Sequence, residues 1–296
     1  MKQAAMLVVI LALATWASAQ YQTPPAAQSN PAQAAPAAAP QPQQGKRPPQ
    51  AKTQAEFDAY KVAATETTDP AVMEKSADDF ATKFPDSELR ILLYRTAMHT
   101  YQTANKADQM LEMGRKVLKL DPDDPEALVG VAQVLAERTH DTDLDKEQRL
   151  EEGAKLAKHA VQTTDTDITV PAGTPQDKVD AYKGFLRSTA YYILGTIEYT
   201  REKYADAEHY FHQSLEAFPS QPDPLAVLRL ALSLDKQEKY PEALKYANQA
   251  VQMTEGNPGN STLANLARNE RDRLVQLTGG TPAPKPASAQ NPPPKK

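Results

Sequence analysis

Five histidines, 38 carboxylates and no cysteine are the raw material for chemistry in this chain of 296 residues. His209 and His212 stand three apart in Glu208-His209-Tyr210-Phe211-His212, a spacing that sets two imidazoles on one face of a helix. A zinc-protease helix needs His-Glu-x-x-His and a further ligand. Neither is present, so the pair reads as two surface histidines. His99, His140 and His159 are scattered, and no Gly-x-Ser-x-Gly elbow presents a nucleophile. Asp141-x-Asp143-x-Asp145 with Glu152 at the twelfth position has the carboxylate spacing of a calcium loop, but Lys146 holds the sixth position, where the turn demands Gly. The simpler reading is an acidic inter-helix loop in which Asp143 or Asp145 caps a helix starting near Lys146. Asp165-Thr166-Asp167 opens a second polar loop that runs to about Gln176. The sequence therefore predicts no catalytic residue, no metal site, no cofactor and no enzyme.

The elements that carry these residues are helices. The one alternating run between Thr53 and Thr278 is Ile168-Thr169-Val170, too short to found a sheet. Prolines fall at expected breaks, among them Pro70, Pro85, Pro122, Pro125, Pro171, Pro219, Pro224 and Pro241. Tyr191-x-x-Leu194-Gly195, then Tyr204, Ala207, Phe211, Ser214-Leu215 and Pro219, has the spacing of one antiparallel helix pair. The offsets recur in weaker form downstream (Val227, Leu230-Ala231, Leu234, Tyr240, Ala243, Ala247, Ala250) and upstream (Tyr94, Ala97, Tyr101, Met110, Gly114, Val117, Pro122). A further set, Leu128, Val131-Ala132, Leu135, Gly153, Ala157 and Ala160, carries an expanded inter-helix loop. Ala77, Phe80 and Phe84-Pro85-Asp86-Ser87 look like the second helix of another pair and its exit turn.

This pattern resembles the tetratricopeptide repeat, in which small residues let paired helices approach, large ones wedge between pairs, and Pro stops the second helix. Glu198 departs from it, standing where the family has an aromatic. The resemblance implies an all-α solenoid of about five antiparallel helix pairs over 53–278, closed by a capping helix from about Ser261 to Leu277.

The ends differ in character. Met1-Lys2-Gln3 gives a positive start, Ala4 to Ala14 an apolar run, and Ala17-Ser18-Ala19 the small residues a signal peptidase accepts. The run falls short of the roughly 20 residues that span a bilayer, which favours a cleaved signal over 1–19 rather than an anchor. Residues 20–52, rich in Pro, Ala and Gln, and 279–296, rich in Pro and Lys, bury too little apolar surface to offset ordering entropy and are expected to be disordered. All 38 acidic residues lie within 53–278, against 26 of the 33 basic ones, a net charge of −12 for the helical region. Such a surface argues against nucleic acid as a partner.

In the family the groove is lined by the first helix of each pair. Carried over, its positions here are Arg95, His99 and Gln102; Val129, Gln133 and Glu137; Tyr192, Thr196 and Tyr199; Leu228, Leu232 and Asp235. The lysines and asparagines with which some relatives clamp a C-terminal carboxylate are missing from these positions. The resulting expectation is an exported, periplasmic scaffold of the bacterial envelope that binds a protein or peptide in this groove. The alternative is a structural spacer whose tails contact envelope polymers or the membrane.

Overall fold

The computed structural model describes residues 45–65, 68–171, 173–255 and 261–280. The expected signal segment, most of the N-terminal linker and most of the C-terminal tail lie outside these residues. Among the described residues the chain forms eleven helices, arranged as five antiparallel pairs and a closing helix. They are α1 (Gln54–Ala63), α2 (Pro70–Lys83), α3 (Arg90–Thr103), α4 (Ala107–Leu120), α5 (Pro125–Glu137), α6 (Lys146–Thr163), α7 (Gln176–Thr200), α8 (Tyr204–Ala217), α9 (Pro224–Asp235), α10 (Tyr240–Thr254) and α11 (Ser261–Leu277). No helix among the described residues is long and apolar enough to cross a membrane.

The helix starts are written in Asp-Pro pairs. Asp69, Asp124 and Asp223 cap α2, α5 and α9 with side-chain oxygens, and Pro70, Pro125 and Pro224 follow at the first helical position. Thr53 caps α1. Within pairs, three turns share one design. Asn105, Glu202 and Glu238 adopt positive φ of 56°, 60° and 62°. The next amide in each turn, from Lys106, Lys203 or Lys239, donates back to the carbonyl five residues earlier. This is a Schellman stop in which the residue that ends one helix stands directly before the N-cap of the next.

The core is built from small residues at helix crossings and large ones between pairs. Ala97, Ala132, Ala157, Ala207, Ala231 and Ala247 are fully buried, as are Phe211 and Ile197. In the repeat pattern, where small residues mark the close approach of paired helices, the spacing would set Gly195 opposite Ala207. The structure instead puts the Phe211 ring there, one turn further along α8: a Cβ added to Gly195 would lie 2.7 Å from two ring atoms. In the α3–α4 pair the sizes are exchanged, with Met98 in the slot of Gly195 and Gly114 in that of Phe211, and a Cβ on Gly114 would lie 3.3 Å from Met98 Sδ. Pairs α5–α6 and α9–α10 put alanine in both slots. A large residue at this crossing is thus matched by glycine, in either order, and none of these four pairs places two large residues there, as close packing requires.

Two segments depart from the repeat. Helix α7 begins about four turns before Tyr191, and its early residues Val179, Tyr182, Phe185 and Leu186 form a small core with Ile168 and Val170. Residues 46–52, which composition assigned to the linker, are held along one edge of the solenoid. Lys46 Nζ reaches Asp121 at 2.6 Å, Lys46 N donates to Ile168 O at 2.9 Å, Arg47 pairs with Glu88 at 2.8 Å and Lys52 Nζ donates to Asp86 O at 2.7 Å. Ile168-Thr169-Val170 founds no sheet but makes one parallel bridge, Thr169 with Lys46.

In the expanded α5–α6 loop Asp145 occupies the N-cap position of α6 without a side-chain bond. Asp143 instead accepts from His140 N at 2.8 Å, so neither caps the helix as the sequence suggested. The ammonium of Lys146 lies 2.7 Å from Asp141, taking up a carboxylate that a bound cation would have needed.

Candidate functional site: the inner face

The first helices of successive pairs touch one another, α5 with α7, α7 with α9 and α9 with α11, whereas the second helices pack chiefly on their neighbours in sequence. The first helices therefore converge on an inner face and the second helices splay on the outer one. The expected groove residues sit on the first helices α3, α5, α7 and α9, where they fall into two sets.

Toward the N-terminus, Arg95 and His99 do not stand free. The Arg95 guanidinium pairs with Asp124, whose side chain is 1% exposed, and lies 3.6 Å from Glu126. His99 Nε2 lies 3.0 Å from Glu126, and its Nδ1 faces Gln102 at 3.5 Å. Tyr182 of α7 donates its hydroxyl to the other Glu126 oxygen. One polar network thus ties α3, α5 and α7 together. Burial alone would raise the Glu126 carboxyl, but the Arg95 charge and the bonds from His99 and Tyr182 outweigh it and hold Glu126 down at about 2. Burial also opposes a charge on His99, yet Glu126 prevails and the imidazole is raised above its ordinary value.

That shift has a sign that can be measured. Because His99 binds its proton more tightly when folded, its stabilisation is complete below about pH 6.5 and is lost as pH rises through the folded value. Stability to urea should therefore fall as pH rises above about 6.5 in the parent and stay nearer level in His99→Gln. An identical slope in the two proteins would remove His99 from this role.

Farther along, Gln133 bonds Glu137 at 2.9 Å on α5. Tyr192 and Thr196 are buried, contrary to the exposure a contact surface needs. The Tyr192 ring packs 5.9 Å from Phe211, and burial pushes its hydroxyl up to about 12. Tyr199 is half-buried, propped edge-on by Tyr204 at 5.3 Å. The Arg229 guanidinium of α9 sits 5.5 Å above the Tyr199 ring. Asp235 pairs with Arg273 of α11, which also holds Glu270 at 3.0 Å. Leu228 is buried and Leu232 half-buried. Among the described residues Arg229 alone of the groove arginines has no carboxylate partner, since Arg95 and Arg273 are both matched.

Asp124, Glu126, Tyr182 and Arg229 escaped the sequence reading. The first two precede or open their helix and Tyr182 precedes the repeat's first marker, so none falls on a family groove position. Arg229 is one residue past Leu228. The departure at Glu198 is also explained: this buried carboxylate bonds Arg201 at 3.0 Å, and Arg201 in turn reaches Glu147 and Glu151 of α6. His209 is exposed, and His212 packs edge-on against Tyr246 at 5.6 Å.

Among solved structures, the chain is similar to the MamA protein, at 15% identity and TM-score 0.47 over 71% of this chain and 93% of that one. It is similar to PilF of Pseudomonas aeruginosa at 20% identity and TM-score 0.46, covering 77% and 94%. A thermophilic TPR protein of Thermus thermophilus gives 12% identity and TM-score 0.46, covering 71% and 98%. At such superpositions the likeness says nothing about what this chain binds. No curated protein matches the sequence. The family signature described as tetratricopeptide repeat does match, over residues 192–258, the stretch that holds the C-terminal third of α7 and all of α8, α9 and α10. The tetratricopeptide-repeat match over residues 192–258 thus falls within a longer succession of packed helix pairs.

Proposed function

We propose that this chain is a non-catalytic scaffold of the bacterial cell envelope that holds a segment of a partner protein on its inner face, between α7 and α9. Protein binding is the general work of this fold. What carries the reading to this place is Arg229, a guanidinium without a carboxylate partner among the described residues and laid over a half-buried tyrosine. Arginine and tyrosine so arranged are the residue types that anchor interfaces. The matched charges of Arg95 and His99 make the N-terminal part of the face a structural tie rather than a contact surface.

Capture of a partner from envelope extract should be lost in Tyr199→Ala and Arg229→Gln with helical circular dichroism unchanged. Each anchor is worth on the order of 2 kcal/mol, about thirtyfold in affinity. Undiminished capture by both variants would overturn the inner-face reading. The envelope assignment rests on residues before Gln20, which lie outside the described structure. Protein isolated from its host should begin at Gln20, and a membrane-bound form retaining Met1 would contradict it.

A further inference from the structure

On the outer face, α6 and α8 stand apart and leave a cleft of about 360 Å³ floored by α7. Its walls are neutral or cationic. Lys158 and Gln162 come from α6, Tyr191 from α7, and Tyr210 and Gln213 from α8, and no carboxylate lines it. The rings of Tyr191 and Tyr210 lie 6.5 Å apart at 23°, forming an aromatic ridge. The Oε1 atom of Gln213 is buried and has no hydrogen-bond partner, a deficit that a donor entering the cleft would relieve. Paired aromatic rings beside amide side chains are the chemistry that receives an extended, proline-rich backbone, whose rings pack on the aromatics and whose peptide groups remain free to bond.

The chain brings such a segment to this place. The bridge between Lys46 and Thr169 is parallel, so from Lys46 to Gly45 the chain is directed back along Thr169 and Ile168, toward the C-terminal end of α6 at Thr163. Gly45 itself lies against Ile168 and Val170. The residues immediately before it read Pro36-Ala-Ala-Ala-Pro40-Gln-Pro42-Gln-Gln44, uncharged throughout. In the polyproline conformation these nine residues span about 28 Å, whereas the helix from Thr163 back to Lys158 is only about 8 Å long. The reach is ample and the charge is compatible.

We propose that the cleft between α6 and α8 is a binding site for proline-rich backbone, and that its occupant is residues 36–44 of the same molecule. The strap of residues 46–52 delivers this segment to the outer face. It thereby keeps the N-terminal arm away from the inner face and leaves the partner surface open.

Because the natural chain has no cysteine, a nitroxide on Ala38→Cys labels one place only. In the full chain, the label is expected to broaden away the amide signals of Gln162 and Gln213. That loss should disappear when Pro36, Pro40 and Pro42 are all replaced by Ser, a change outside α1 to α11. Tyr210→Ser should release the segment likewise. Absence of broadening in the labelled parent overturns the proposal, as does broadening that survives the triple proline replacement. Broadening found only between molecules, in a mixture of nitroxide-bearing and isotope-labelled chains, overturns the intramolecular occupant.

Discussion

Asp124→Ala is expected to destabilise the protein by about 3–5 kcal/mol, the effect of stripping one partner from a buried ion pair. Two roles are lost together. Asp124 Oδ1 accepts from Ala127 N at 2.9 Å as the cap of α5, which is worth about 1 kcal/mol. Its other oxygen meets the guanidinium of Arg95, which has no second full partner, since Glu126 lies farther off and is shared with His99 and Tyr182. Asp124→Asn separates the roles, because asparagine caps as well as aspartate but carries no charge. In urea unfolding, the cost of Asn against the parent measures the pair, and the further cost of Ala measures the cap. If Asn costs nothing and Ala only about 1 kcal/mol, Asp124 is a cap and nothing more. A variant with both Arg95 and Asp124 replaced by apolar residues should recover part of the loss, because it leaves no charge unpaired.

The helix pairs were legible because their signal is local. Small and large residues recur at fixed offsets, and Asp-Pro punctuates the starts, so the last helix could be bounded at Ser261 and Leu277 from sequence alone. What could not be read is long-range. Nothing near Lys46 announces that it pairs with Asp121, 75 residues away, and a segment of Pro, Arg, Lys and Gln is indistinguishable in composition from free linker. The early half of α7 was invisible for a related reason: it precedes the residues that set the repeat's phase, so Tyr182 had no position to be carried to. Groove offsets carry no information about depth. Tyr192 lies on the named face yet is packed against Phe211, because a helix face that converges with its neighbours is partly core. Offsets also say nothing of partners, and it is the carboxylates of α5 and its cap with which Arg95 and His99 pair.

Gly195→Leu should cost about 1–3 kcal/mol, the range for overpacking a filled core. The first carbon alone would lie 2.7 Å from two atoms of the Phe211 ring, which is fully buried. In a region of this size each kcal/mol lowers the melting temperature by about 2–4 °C. An unchanged melting temperature would mean that α7 and α8 do not meet at this point. A sharper test follows from the exchange of sizes seen in the α3–α4 pair, where Met98 and Gly114 occupy the same two slots in reverse. If the slots share one volume, Gly195→Ala and Phe211→Leu should each destabilise alone, the second by opening a cavity. Combined, they should cost less than their sum by about 0.5–3 kcal/mol, the coupling expected of residues in contact. Strict additivity would show that the two slots are filled independently and that the exchange in α3–α4 is incidental.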